Sequence, residues 1–203
     1  MADRSRLIAL TTSRLLDTPP EPEFDRLTAL AQRILGVPTA LVSLVDRDRQ
    51  FFKSQQGLPE PLASRRETPL SHSLCQYVVA SDAPFAVSDA RVHPLVDGHC
   101  AVTELSVTAY LGVPIHSVDG QPIGALCVLG SDPRVWTDDD VAVMSDLAAV
   151  VEREFALRAE VLARSRTQTQ YRALFEASPD AVLVLDPHSE TVLDANGPAC
   201  ALY

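Results

Sequence analysis

Apolar positions along this chain fall into blocks of different period. Over residues 4–16 Leu7 and Leu10 share one side, which predicts a short amphipathic helix broken by Asp17-Thr18-Pro19-Pro20. From Glu21 to Leu35, Phe24, Leu27, Leu30, Ala31 and Ile34 recur at three- and four-residue steps, predicting a second helix that Gly36 and Pro38 stop. Shorter apolar runs follow, and Thr39–Val45 and Gln50–Gln56 read as strands. The Pro- and Arg-rich stretch to Pro69 reads as a loop, Ser71–Ala80 as a helix and Phe85–Ser88 as a strand. Residues 90–106 are irregular or briefly helical. Thr108–Ser117 and Pro122–Leu129 then form a hairpin around Val118-Asp119-Gly120-Gln121, since Asp-Gly accepts the positive φ such turns need.

A different pattern begins at Thr137. This residue suits an N-cap, Asp140 completes a capping-box-like pair, and Asp138, Asp139 and Asp140 lie where the helix dipole favours acids. Neither Gly nor Pro interrupts Thr137–Ser178, which predicts a helix of about 60 Å. Met144, Ala148, Val151, Phe155, Arg158 and Leu162 follow steps of four and three, the seam of a coiled coil, before it weakens to Ser165, Thr169 and Arg172. The helix outruns the sheet, leaving Phe155 and Leu162 as expected partners in a parallel homodimer through residues 137–175. Residues 181–185 and 191–194 read as two further strands. The fold class is α+β, an antiparallel sheet flanked by helices. The expected divisions are 1–16, 17–136, 137–177 and 178–203.

Composition narrows the class. The 203 residues are 46% hydrophobic, enough for a core, yet no apolar run reaches the ~18–20 residues of a membrane span. The first residues lack a signal peptide's apolar stretch and cleavage site. The expectation is a cytoplasmic protein without direct membrane contact. Net charge is −10: residues 1–136 hold 15 acids and 12 bases, residues 137–203 hold 12 and 5. An acidic chain with no basic face argues against nucleic-acid binding. The four cysteines contain no C-x-x-C and imply no disulfide framework.

Several motifs in order resemble the GAF domain of bacterial signalling proteins. They are Gly112-Val113-Pro114-Ile115, then Asp119-Gly120 and Ile123-Gly124-Ala125-Leu126-Cys127-Val128-Leu129; Arg49-Gln50-Phe51-Phe52-Lys53; and the segment Ser71–Ala90 with Cys75 and Asp89. The resemblance spans about Leu15–Arg158. It departs at Thr108–Gly112, which lacks an Arg often present there. Phe175, Ser178-Pro179-Asp180, Asp186 and Asn196 resemble the start of a PAS domain, normally about 100 residues long. The chain is therefore expected to stop inside that domain and to belong to a longer protein, as in sensor histidine kinases and diguanylate cyclases. The resemblance implies a GAF-type sheet and a regulatory pocket for an unknown small-molecule ligand, with His72, Cys75, Gln76, Asp89 and Tyr110 on its lining. It leaves the cofactor unknown and assigns no catalytic residue and no metal ligand.

Catalytic signatures are missing: there is no G-x-x-x-x-G-K-[ST], G-x-S-x-G, H-E-x-x-H or G-x-G-x-x-G. His93, His99 and Cys100 read as a solvated loop. Ala101, not His, follows Cys100, unlike bilin-binding relatives. Two alternatives stay open. Cys75 and Cys100 resemble the cysteine placement of free methionine-R-sulfoxide reductase, a thiol-dependent enzyme of the same fold. A ligand-free dimerisation module is the other. Whether the parent protein is an enzyme is open.

Overall fold

The computed structural model describes residues 4–189 and 191–202. It divides into two compact units, one up to Ala156 and one from Leu157 onward.

The first unit is built on a six-stranded antiparallel sheet. Its strands are β1 (Thr39–Val45), β2 (Arg49–Gln56), β3 (Glu67–Pro69), β4 (Phe85–Val87), β5 (Ala109–His116) and β6 (Pro122–Gly130), in spatial order β3-β2-β1-β6-β5-β4. Helices α1 (Arg4–Ser13), α2 (Pro22–Leu35) and the first part of α6 (Asp138–Ala177) supply one apolar layer. Helices α4 (Cys75–Ser81) and α5 (Cys100–Thr103) supply the other, and α3 (Leu62–Arg65) precedes β3.

Burial on both faces explains the composition of β1, all seven of whose residues are buried. Ala40, Val42 and Leu44 enter the α1/α2/α6 core, whereas Leu41 and Val45 enter the α4/α5 core. That alternation is the strand's period of two. Between β1 and β2 the register slips after Val42, which pairs with Ser54 while Ser43 pairs with Phe52. The extra residue is Lys53, a β-bulge. It turns two consecutive side chains toward α2: Lys53 Nζ donates to Thr18 Oγ1 (2.6 Å) and pairs with Glu21, and Ser54 Oγ donates to Asp25 Oδ1 (2.6 Å). A cation without solvent exposure is thus fully partnered.

Helix ends follow local chemistry. Pro22 starts α2, where a missing N–H costs nothing, and Gly36, at φ 61°, closes it with its N–H on Gln32 O. At α6 the Asp140 N–H donates to Thr137 Oγ1 (3.1 Å) and the Thr137 N–H to Asp140 Oδ2 (2.9 Å), the expected capping box.

Helix α6 is rooted in the sheet. Trp136 Nε1 donates to Val87 O (3.0 Å), with the Arg134 guanidinium 4.6 Å over its ring. Met144, Ala148 and Val151 are buried, as their stripe predicted. Phe155 corrects the reading that gave it no partner in its own domain. It is 4% exposed and its ring lies 5.3 Å from that of Phe24 in α2. The exposed large apolar residues of α6 include Val150, Leu157 and Val161, offset from the expected seam, and further on Tyr171 and Leu174. His116 adds a polar fastening: Nδ1 meets Glu152 Oε1 of α6 (2.7 Å), Nε2 meets Asp82 Oδ1 at the end of α4 (2.8 Å), and its backbone N–H also donates to Glu152.

Two other local expectations change. The helix expected over Ser71–Ala80 is a 3₁₀ turn (Leu70–His72), an extended Ser73, and then α4. The loop before Pro69 contains α3 and β3.

The second unit holds the rest of α6, a two-stranded sheet of β7 (Leu183–Leu185) and β8 (Val192–Ala195), and α7 (Gly197–Leu202). Asn196 ties it together. Its Oδ1 accepts from the Val182 and Ala199 N–H groups, and its Nδ2 donates to Phe175 O and Asp180 O, at 2.9–3.1 Å. Among the described residues no helix is long and apolar enough to cross a membrane.

Candidate ligand cavity

The α4/α5 side of the first unit encloses a cavity of about 360 Å³. Leu41, Phe52, Leu74, Val107 and Leu129 give it apolar walls. Its floor comes from the adjacent strands β5 and β6. Cys127 of β6 faces Gly112 of β5 across the ladder, and Tyr110 points the same way two residues before Gly112. A Cβ at Gly112 would lie 2.3 Å from the Tyr110 hydroxyl, so this glycine makes room for the ring.

Tyr110, Cys75 and Cys127 meet without solvent. The Tyr110 hydroxyl donates to Cys75 Sγ (3.3 Å), and Cys75 Sγ and Cys127 Sγ lie 3.6 Å apart. Hydrogen bonding with Cys127 lowers the Cys75 pKa to about 7 against the burial that raises it, and the Tyr110 hydroxyl adds a donor. The same contact and burial push Cys127 well above its ordinary range. Burial, then the nearby thiols, raises the Tyr110 phenol. Beside them Gln50 is spent on a buried network. Its Oε1 accepts from Ser43 Oγ (3.1 Å) and Ser73 Oγ (2.6 Å), and its Nε2 donates to Thr68 Oγ1 (2.7 Å). Fully satisfied, such a network holds one arrangement of the wall.

The rim is polar. His72 Nε2 lies 3.0 Å from Glu104 Oε2, and both residues line the cavity. The His72 hydrogen bond, and secondarily the Cys100 thiol, hold the Glu104 carboxyl below its usual range. An apolar chamber with a hydroxyl-and-thiol floor and a polar rim suits a small molecule with a mainly apolar body.

A family model for the GAF domain matches residues 19–155. The chain belongs to the GAF family. A PAS-domain model matches residues 169–203. The GAF chain is 30% identical over 151 residues to a cyclic di-GMP phosphodiesterase of Pseudomonas aeruginosa, a match covering 73% of this chain and 25% of the relative. It thus spans about a quarter of that relative's length. Two solved structures show the same fold. The GAF domain of an Acinetobacter phosphoenolpyruvate-protein phosphotransferase is 16% identical, with a TM-score of 0.56 over 78% of this chain and 98% of that one. A free methionine-R-sulfoxide reductase of Neisseria meningitidis is 20% identical, with a TM-score of 0.56 over 79% and 96%.

Of the five residues expected on the GAF pocket, the cavity lining includes His72, Cys75 and Tyr110. Gln76 and Asp89 are not on it. Gln76 Nε2 instead closes the 3₁₀ turn, donating to Leu70 O (3.1 Å) and Ser73 O (2.8 Å). Asp89 accepts from the Arg91 N–H and guanidinium in its own turn. The lining adds Gln50, Thr68 and Cys127, which the sequence reading did not assign to the pocket, and Glu104 from the 91–105 loop expected there. Gln50 stood inside the Arg-Gln-aromatic run, a signal that could have found it. Cys127 carried none, because only the packing of α4 on the sheet brings it to Cys75.

Proposed function

We propose that this chain is a regulatory sensor module of a bacterial signal-transduction protein. The α4/α5-side cavity takes a small ligand, and α6 carries the state toward an output domain of the longer protein. GAF membership and the signalling relative support the class. The observation that carries the reading is the cavity itself: strands β5 and β6 form its floor with one face and bury α6 with the other. A ligand shifts the position of α6 only by its differential affinity for the states involved. His72, Cys75 and Tyr110 are the contacts we assign to that ligand.

The module acts as a parallel homodimer through residues 137–175. Val150, Leu157 and Val161 are 39%, 55% and 65% exposed and recur at steps of seven and four, which gives the dimer its apolar seam. Native mass spectrometry of the purified chain tests both parts. A retained small-molecule mass that disappears in the cavity-filling variant Val107→Trp is expected, together with a dimer. Absence of any retained mass, combined with no thermal shift across a metabolite panel, overturns the ligand reading. A chain that stays monomeric at high micromolar concentration overturns the dimer.

The thiol-reductase alternative pairs Cys75 with Cys100. Here Cys75 meets Cys127, while Cys100 clusters with His72 and Glu104. That arrangement favours the sensor.

A further inference from the structure

Glu104 and Cys100 sit four residues apart on the single turn of α5 and its end, so they share one face, and the Glu104 N–H closes the turn on Cys100 O (2.9 Å). His72, at the end of the 3₁₀ turn, faces them. One donor atom from each, an imidazole nitrogen, a thiol sulfur and a carboxylate oxygen, lie within 4.8 Å of one another. The ring of His72 is steadied from behind, with Nδ1 3.1 Å from Ser71 Oγ and Nε2 turned to Glu104. A partner on the far nitrogen is how ligating histidines are normally oriented.

We propose that His72, Cys100 and Glu104 form a three-ligand site for a divalent transition metal of the zinc class at the rim of the cavity. Nitrogen, sulfur and oxygen donors together suit zinc, and three protein ligands leave a tetrahedral ion one open position. Two anionic ligands, thiolate and carboxylate, balance a dipositive ion. Binding releases the Cys100 proton to solvent and forms the metal–sulfur bond, with no change of oxidation state. His72 and Glu104 both line the chamber, so the ion stands at its edge and gives an apolar cavity one Lewis-acidic anchor. The other groups near the cluster are not needed as ligands. His99 Nδ1 already accepts the Ala101 N–H (3.2 Å), and Cys75 is engaged by Tyr110 and Cys127. The site stands whether or not an organic ligand occupies the cavity.

Cobalt(II) titration of the purified chain tests it, because a cobalt–thiolate bond gives a near-ultraviolet charge-transfer band. We expect one equivalent of cobalt(II) to raise that band and zinc(II) to displace it. Cys100→Ser should abolish the band, and Cys200→Ser, altering the exposed cysteine of the second unit, should keep it. His72→Ala and Glu104→Gln should each weaken zinc(II) at least about tenfold. Glu104 is exposed, so its isosteric variant keeps the fold and reads the site alone. No band in the wild type, a band that survives Cys100→Ser, or zinc(II) affinity unchanged in both His72→Ala and Glu104→Gln overturns the proposal.

Discussion

At Gly112 a single hydrogen in place of a side chain decides whether the cavity floor can exist. A Cβ there would approach Tyr110 Oη, Cζ and Cε1 at 2.3, 2.8 and 2.9 Å. Tyr110 is 1% exposed, and a shift of its ring toward the cavity would break its contact with Cys75. Gly112→Ala should therefore destabilise the first unit by about 1–3 kcal/mol, the cost of overpacking a filled core. Thermal denaturation reads the loss, and an unchanged melting temperature would show that the ring moves freely. The residues of this floor were only partly legible in the sequence. Cys75 could be placed because a family motif carries it, and Tyr110 because the resemblance implies a pocket at that strand. Gln50 lay within the Arg-Gln-aromatic run, but Cys127 could not be placed, since an apolar strand with one thiol is ordinary core composition and its partner Cys75 comes from a helix distant in sequence.

Among the elements, α6 and its attachments repay the closest testing. Phe155→Glu places a charge against Phe24 in a buried site, so it should unfold or strongly destabilise the first unit and not merely separate a dimer. Even Phe155→Ala should cost about 3–5 kcal/mol. Leu157→Glu with Val161→Glu is the variant that reads the dimer, because both positions are exposed in the single chain. The heptad stripe was visible in the sequence, but its period alone could not say whether it faced a sheet or a second helix. His116 makes the attachment pH-dependent. Burial opposes its charge, yet the hydrogen bonds and charges of Glu152 and Asp82 outweigh it and raise its pKa. A raised folded pKa stabilises fully below the unfolded value of about 6.5 and is lost as pH rises through the folded value. The melting-temperature gap between wild type and Asp82→Asn should accordingly be larger near pH 6 than near pH 8.5, both approximate. A gap independent of pH would mean that the imidazole does not titrate across this contact. The strands and helices flanking this attachment followed the sequence pattern closely. By contrast β3 and α3 are three and four residues long, too short for periodicity to register.

For the whole molecule, the two units differ in how well they are held. The first buries apolar residues on both faces of its sheet. In the second, Leu183, Leu185, Val192 and Leu193 are 41–63% exposed. A two-stranded sheet is marginal in water. Hydrogen exchange should find the β7 and β8 amides much less protected than those of β5 and β6, with Val182 and Ala199, bonded to Asn196, slower than their neighbours. Equal protection in both sheets would contradict this. Helix α6 contributes residues to both units, and the chain's single tryptophan sits just before its first turn, against the sheet. Trp136 holds Val87 O through its indole nitrogen and carries Arg134 on its face. Its fluorescence therefore has one source and one location. Any event that lifts the root of α6 from β4 hydrates that indole and shifts its emission to the red, so the unlabelled protein reports its own helix movement in a cuvette.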